Sequence, residues 1–139
     1  MNFELFKKYH SEVVMNCQCI EHDLKWIYAY MRTGDVDRNF NKLEKKTLGM
    51  LVQKLENLDN SDGNPLISAD DYEFLRQLTD KRNFWCHQCF IDFIYIESFI
   101  NSPQYRSVCN KLLEDHERFD TVSDNVEKLR LKVVNIYKR

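Results

Sequence analysis

A chain of 139 residues with a formal net charge of −2 fits a single domain, residues 1–139, large enough to bury a core without disulfides or a structural metal. Only three Gly and two Pro occur against 43% hydrophobic residues, which favours long helices over the turn-dense pattern of a sandwich or barrel, so the fold class is all-α. The small charge is shared between the halves, which excludes a basic nucleic-acid domain or an acidic tail and makes any nucleic-acid site a local one.

From Phe3 to about Arg32, apolar residues recur at three- and four-residue spacing (Phe6, Val13, Cys17, Ile20, Leu24, Ile27, Met31), which predicts a first long helix closed near Thr33-Gly34. A polar connection, Asp35 to Asn39, leads to a second helix from about Lys42 to Leu58, and Asn57 to Pro65 reads as a loop. Ser68 is a good N-cap with Asp70 and Asp71 behind it, so a third helix is expected from there to about Asn101, ended by Ser102-Pro103. A fourth covers about Pro103 to Asp120, and Ser123 caps a fifth piece or a bent continuation. Together these make a four- or five-helix up-and-down bundle.

The third helix carries the informative residues. Arg82 falls on the stripe of Leu75, Leu78, Trp85, Cys89, Phe93 and Ile96, where a guanidinium needs a carboxylate partner or a function. Asn83 and His87, four apart, share the flank that continues through Phe90, Ile91 and Ile94, so the second half is apolar nearly all round and must be covered on more than one side. Arg82 and His87 lie about 140° apart on an ideal helix, so one helix does not bring them to one point. Two copies packed about a twofold axis through this helix would, which predicts a homodimer with a composite cleft.

The segment Arg82-Asn83-Phe84-Trp85-Cys86-His87, an RxxxxH motif with Asn in second place in a small helical chain, resembles the HEPN superfamily, and Leu43 to Gly49 looks like a segment on the second helix of some HEPN-like families. The resemblance spans most of the chain and implies an HEPN-like bundle dimerising through the Arg82-to-His87 helix. It implies a metal-independent endoribonuclease, often a toxin or abortive-infection (antiphage) effector, in which Arg82 and His87 are catalytic and Asn83 holds the motif's polar position. It also implies RNA as substrate, no cofactor, and a nucleotidyltransferase-type antitoxin or other regulatory protein as partner. Asp80, about two turns before His87 on a similar face, would orient the imidazole or Arg82.

The chemistry is independent of the name. RNA carries its own nucleophile, so cleavage needs a proton taken from the 2′-hydroxyl, a proton given to the departing 5′-oxygen, and positive charge on the phosphorane-like transition state. A histidine performs either transfer near neutral pH, and an arginine supplies a fixed bidentate cation. The basic patches are Lys42, Lys45 and Lys46, which are candidates for RNA binding, and the run of Lys128, Arg130, Lys132, Lys138 and Arg139; such runs are more often solvated helix faces.

Rival readings are weaker. Cys86-His87-Gln88-Cys89 and Cys17-Gln18-Cys19 lack zinc-knuckle geometry, so no metal site is expected; the cysteines read as small buried hydrophobes, and nothing marks an activated thiol. His22 and His116 do not sit at the Glu-x-x-His spacing of a di-metal bundle. No Gly-rich phosphate loop or nucleophile elbow is present. No run approaches the roughly 20 apolar residues of a membrane span, no secretory leader is indicated, and five cysteines point to a reducing, cytoplasmic setting. The alternative that stays open is a catalytically inactive helical interaction module, in which Arg82 is an ion-pair residue and His87 a packed histidine.

Overall fold

The computed structural model describes residues 1–138, which form helices and turns with no strand. In chain order the helices are α1 (Phe3–Met31), α2 (Val36–Asn41), α3 (Leu48–Asp59), α4 (Ala69–Arg76), α5 (Leu78–Asn83) and α6 (Pro103–Ile136). A π-helical turn, Phe84–Gln88, continues α5, and a short 3-10 turn, Phe99–Asn101, precedes α6. No helix among the described residues is long and apolar enough to cross a membrane.

Side-chain pairing fixes the directions. Tyr105 donates to the Met1 carbonyl (3.0 Å), His116 meets Glu12 (2.7 Å) and Arg130 meets Asp23 (2.8 Å), so α6 runs parallel to α1. Rings of Phe40 and Trp26 stack at 4.1 Å because α2 folds back along the end of α1. Arg76 with Glu56 (2.6 Å) and Tyr72 with Asp59 (2.6 Å) set α4 antiparallel to α3. Arg118 with Asp71 (3.3 Å) and Lys81 with Asp115 (2.8 Å) set α4 and α5 antiparallel to α6. The chain therefore alternates in direction except that α5 continues in the direction of α4, and Phe6, Ile20, Leu24, Leu55, Leu78, Trp85, Phe93, Leu112 and Phe119 fill the single core between the helices.

Capping explains most of the boundaries. Asn2, Asp35, Thr47, Ser68 and Ser102 each accept a backbone N–H from the first turn of the helix that follows. Asn39, buried, spreads its amide over the carbonyls of Ala29, Arg32 and Thr33 (3.1–3.2 Å), satisfying the open end of α1. Gly34 sits at φ 101°, a conformation that a side chain would oppose, and turns the chain back into α2. Asp59 accepts from the backbone of Leu66 and Ile67 as well as from Tyr72, folding the loop after α3 onto the bundle.

Two expectations about element boundaries are corrected, and the open choice between a fifth piece and a continuation is decided. The polar connection at 35–39 is largely α2, and residues 42–46 are turns, so the second long helix begins at Leu48 because Thr47, not Lys42, caps it. The fourth and fifth pieces are one helix: no Gly or Pro interrupts Pro103–Ile136, and Thr121 bonds back to the Glu117 carbonyl (3.1 Å) while the helix continues. The third helix is not continuous to 101. It breaks at Gln77, widens into the π turn, and gives way to turns over 89–98, with Ser98 left-handed at φ 51°.

Candidate functional site

The π turn is the local event around which the candidate residues are arranged. The N–H of Cys89 bonds to the Phe84 carbonyl (2.9 Å), one residue further back than an α-helix allows. That shift takes from the Trp85 carbonyl its ordinary partner. His10 on α1 supplies another, with Nε2 at 2.6 Å, and the Cys89 thiol adds a long 3.4 Å contact. A carbonyl only accepts, so His10 carries its proton on Nε2. Its ring lies edge-on to Phe90 at 4.8 Å, which ties the turn to the start of α1.

Trp85 anchors the turn from the other side. Its side chain is 1% exposed and its indole N–H donates to Asp115 on α6 (2.8 Å). The other Asp115 oxygen takes the Lys81 ammonium (2.8 Å), so a buried carboxylate has both oxygens occupied by donors one helical turn apart on the facing segment. His10 and Asp115 were not legible as site-shaping residues in the sequence. A signal existed for Asp115, because a stripe tryptophan must find an acceptor on the helix it faces.

The motif residues themselves lie on the surface of this turn. Arg82 is the last cation of α5; its side chain is 36% exposed and Nη1 lies 3.7 Å from Glu21 Oε2 on α1. Glu21 also faces Lys25 at 4.0 Å. Asn83, Cys86 and His87 are exposed, and the His87 side chain makes no hydrogen bond or ion pair among the described residues. Asp80 is likewise exposed and touches neither Arg82 nor His87 through a hydrogen bond or ion pair; the carboxylate beside Arg82 is Glu21.

Cys17 reports the geometry from the α1 side. Burial pushes its thiol up to about 12, with Glu21 and Cys86 adding to the rise and Arg82 opposing it. Arg82 and Cys86 therefore face the same stretch of α1, and His87 is the next residue round. Cys89 is also raised to about 12, chiefly by burial. Neither thiol is an activated nucleophile, since activation needs the opposite shift. Cys17, Cys89 and Cys109 are buried, whereas Cys19 and Cys86 are exposed. Among the described residues no three His, Cys, Asp or Glu side chains converge as a metal ligand set.

The remaining candidates lie elsewhere. Lys42, Lys45 and Lys46 occupy the turns between α2 and α3, and Gly49, at the start of α3, approaches Thr79 one turn before Arg82. Beyond the π turn, Ile91 (59% exposed), Ile94 (36%) and Tyr95 (88%) present apolar surface to solvent. This is where the sequence expected a helix covered on both sides. A cleft of about 560 Å³ between α4–α5 and α6 is lined by Asp70, Glu73, Lys81, Glu114, Asp115 and Arg118 among others, but not by Arg82 or His87. Comparison of the chain with family models, curated proteins and solved structures finds no match.

Proposed function

We propose that the protein is a metal-independent endoribonuclease of the HEPN kind, acting through Arg82 and His87 with Asn83 beside them. The observation that carries the reading is the π turn at Phe84–Gln88. A run of i→i+5 hydrogen bonds winds more residues into each turn than an α-helix does, so part of the roughly 140° overshoot between positions 82 and 87 is taken back. A five-residue Arg-to-His spacing fits a π turn better than it fits a straight helix. π turns inside α-helices are rare and concentrate at functional sites.

In this reading His87, exposed and unpartnered, removes the 2′-hydroxyl proton or returns one to the 5′-oxygen. The 2′-oxygen bonds to phosphorus as the 5′-oxygen leaves, giving a 2′,3′-cyclic phosphate and a 5′-hydroxyl. Arg82 carries the developing phosphorane charge and is held for that task by Glu21, which a phosphate would displace or share. One histidine does not supply acid and base together, so a second His87 from a partner copy completes the site. Exposed Ile91, Ile94 and Tyr95, directly after the turn, are the surface on which that copy would seat. A toxin or antiphage role restrained by a nucleotidyltransferase-type antitoxin belongs to this reading through the resemblance alone.

The second reading, an inactive helical interaction module, is favoured by the Arg82–Glu21 pair. Magnitude counts against it: a partly exposed pair at 3.7 Å contributes only about 0–1 kcal/mol, so Glu21 is a weak structural reason for Arg82 and a partner that a phosphate could displace. The discriminating experiment incubates total RNA in EDTA with the wild type, His87→Ala and Arg82→Ala, after circular dichroism and ultracentrifugation show all three alike. Cleavage leaving cyclic phosphates, lost by both variants, is expected. An inert wild type would retire the ribonuclease and leave the interaction module.

A further inference from the structure

The turn between α2 and α3, whose lysines the sequence marks as candidates for RNA binding, builds a second feature that the Arg82–His87 chemistry does not use. Arg32 from the end of α1, Lys42 and Lys46 from the turns, and Lys54 from the third helix line a cavity of about 290 Å³ with Tyr28 and Asn39. No aspartate or glutamate among the described residues lines it. Lys42, Lys46 and Lys54 make no ion pair among the described residues, although Lys54 is half-buried in the groove.

The surrounding structure holds these cations in place. Leu43, 2% exposed, pins the turn into the core, and the backbone bonds Leu43 N–H to Phe40 (3.0 Å) and Lys46 N–H to Leu43 (3.0 Å) order the main chain that carries Lys42 and Lys46. Arg32 is steadied by its own bond to the Tyr28 hydroxyl (2.9 Å). Lys45, the third lysine of the sequence patch, does not line the cavity, and Lys54, eight residues after Lys46, does. A solvated face would not need a half-buried ammonium that pairs with no carboxylate among the described residues.

We propose that this cavity binds a phosphate group. Three ammonium groups and a guanidinium, brought together from three separate segments, suit a tetrahedral dianion with several free oxygens better than a planar carboxylate, and lysine is a common point-charge partner of phosphate. The volume lies at the lower limit of ligand sites, which run from about 300 to 1,000 Å³, so it takes a phosphate or pyrophosphate group and leaves the remainder of the ligand outside. Two sources share that chemistry: the backbone of single-stranded RNA and a free phosphate compound.

Binding is measured on the whole protein with two probes, inorganic pyrophosphate by calorimetry and a fluorescent 2′-O-methyl oligoribonucleotide by anisotropy. The 2′-O-methyl groups remove the nucleophile, so the result does not depend on whether the protein cleaves RNA. The expected outcome is binding that weakens at least tenfold when Lys42→Gln, Lys46→Gln and Lys54→Gln are combined, with Lys45→Gln close to wild type. Loss of pyrophosphate binding assigns the free compound, and loss confined to the oligonucleotide assigns RNA, whose salt slope should then fall by about 0.7 for each lysine removed. Should the triple variant misfold, Lys46→Gln and Lys54→Gln alone each give a severalfold loss. No binding of either probe by the wild type, or a loss with Lys45→Gln as large as with Lys46→Gln, overturns the site.

Discussion

The α1–α6 pair and the stretch from Phe84 to Asn101 are both rich in large apolar residues, yet only the first is regular. In α1 and α6 those residues keep to one stripe, Phe6, Val13, Ile20, Leu24 and Ile27 facing Leu112, Phe119, Val122 and Val126, and the polar remainder faces water. After Phe84 the apolar residues occupy every side, and a straight helix against α1 and α6 would bury only one of them. The chain instead leaves the helical path. Phe90, Phe93 and Phe99 turn inward onto Phe3, Phe6 and Tyr105, with ring centroids 4.9–6.4 Å apart, and Ile91, Ile94 and Tyr95 are left outside. Ile91, Ile94 and Tyr95 are thus the surface that the partner copy of the proposed site would cover.

The comparison breaks most visibly where the irregular stretch is bolted to the regular pair. Trp85→Ala should cost about 3–5 kcal/mol in urea unfolding, since a fully buried indole is lost with its hydrogen bond. Asp115→Ala should cost about 3 kcal/mol, because the Lys81 ammonium and the Trp85 N–H both lose their acceptor. Asp115→Asn, which keeps one acceptor, should cost less. Values under 1 kcal/mol for both alanine variants would show that the π turn does not depend on α6.

Residues on the outer side of the same stretch should behave in the opposite way. Ile91→Asp with Tyr95→Asp removes no internal contact of a buried group and should shift monomer stability by no more than about 0.5 kcal/mol. Ultracentrifugation should nevertheless show a dimeric wild type becoming a monomer. A wild type that is monomeric at every concentration would remove the partner from the proposed site. Alkylation sharpens the same boundary. A thiol at about 12 is ionised to roughly one part in 10⁴ at pH 8, and ionisation grows only as the pH rises toward that value, so Cys17 and Cys89 should stay unlabelled by iodoacetamide. Exposed Cys19 should label quickly, and Cys86, beside the motif, should label more slowly in a dimer than in the Ile91/Tyr95 variant by mass spectrometry.

Much of the regular half was legible because period and punctuation agree there. The spacing from Phe6 to Ile27, the Ser68 cap and the Ser102-Pro103 start each mark a boundary that the structure keeps within a residue or so. The start of α3 was misplaced because Leu43 fits the helical period although it serves a turn, and the Thr47 cap competes with it. The break after Phe84 was not legible at all. It contains no Gly or Pro, and its cause is tertiary: the His10 proton, the Asp115 carboxylate and the Phe3–Phe6 ring cluster decide which backbone groups bond to which. The residues of the proposed site rest on type and spacing alone. Their mutual geometry was not legible, since a one-residue change of hydrogen-bond register is invisible to a helical wheel drawn at about 100° per residue.

The smallest expected effect is also the one whose sign differs between the two regions. Ser98 lies at φ 51°, the left-handed conformation that opposes a Cβ by about 1–2 kcal/mol, and it sets the entry to the Phe99–Asn101 turn. Ser98→Gly removes that opposition but gives back part of it, about 0.4–1 kcal/mol, to the freer unfolded chain, so a net gain of about 0–1.6 kcal/mol is expected. On exposed Ser11 of α1 the same substitution places Gly in a helix interior and should cost about 0.5 kcal/mol. Urea midpoints measured on the two variants with unchanged m-values decide the matter. Opposite signs mean that the irregular stretch holds its shape against local backbone preference, through the contacts of its neighbours; a loss at both positions would mean that Ser98 itself contributes a bond that outweighs its strained backbone.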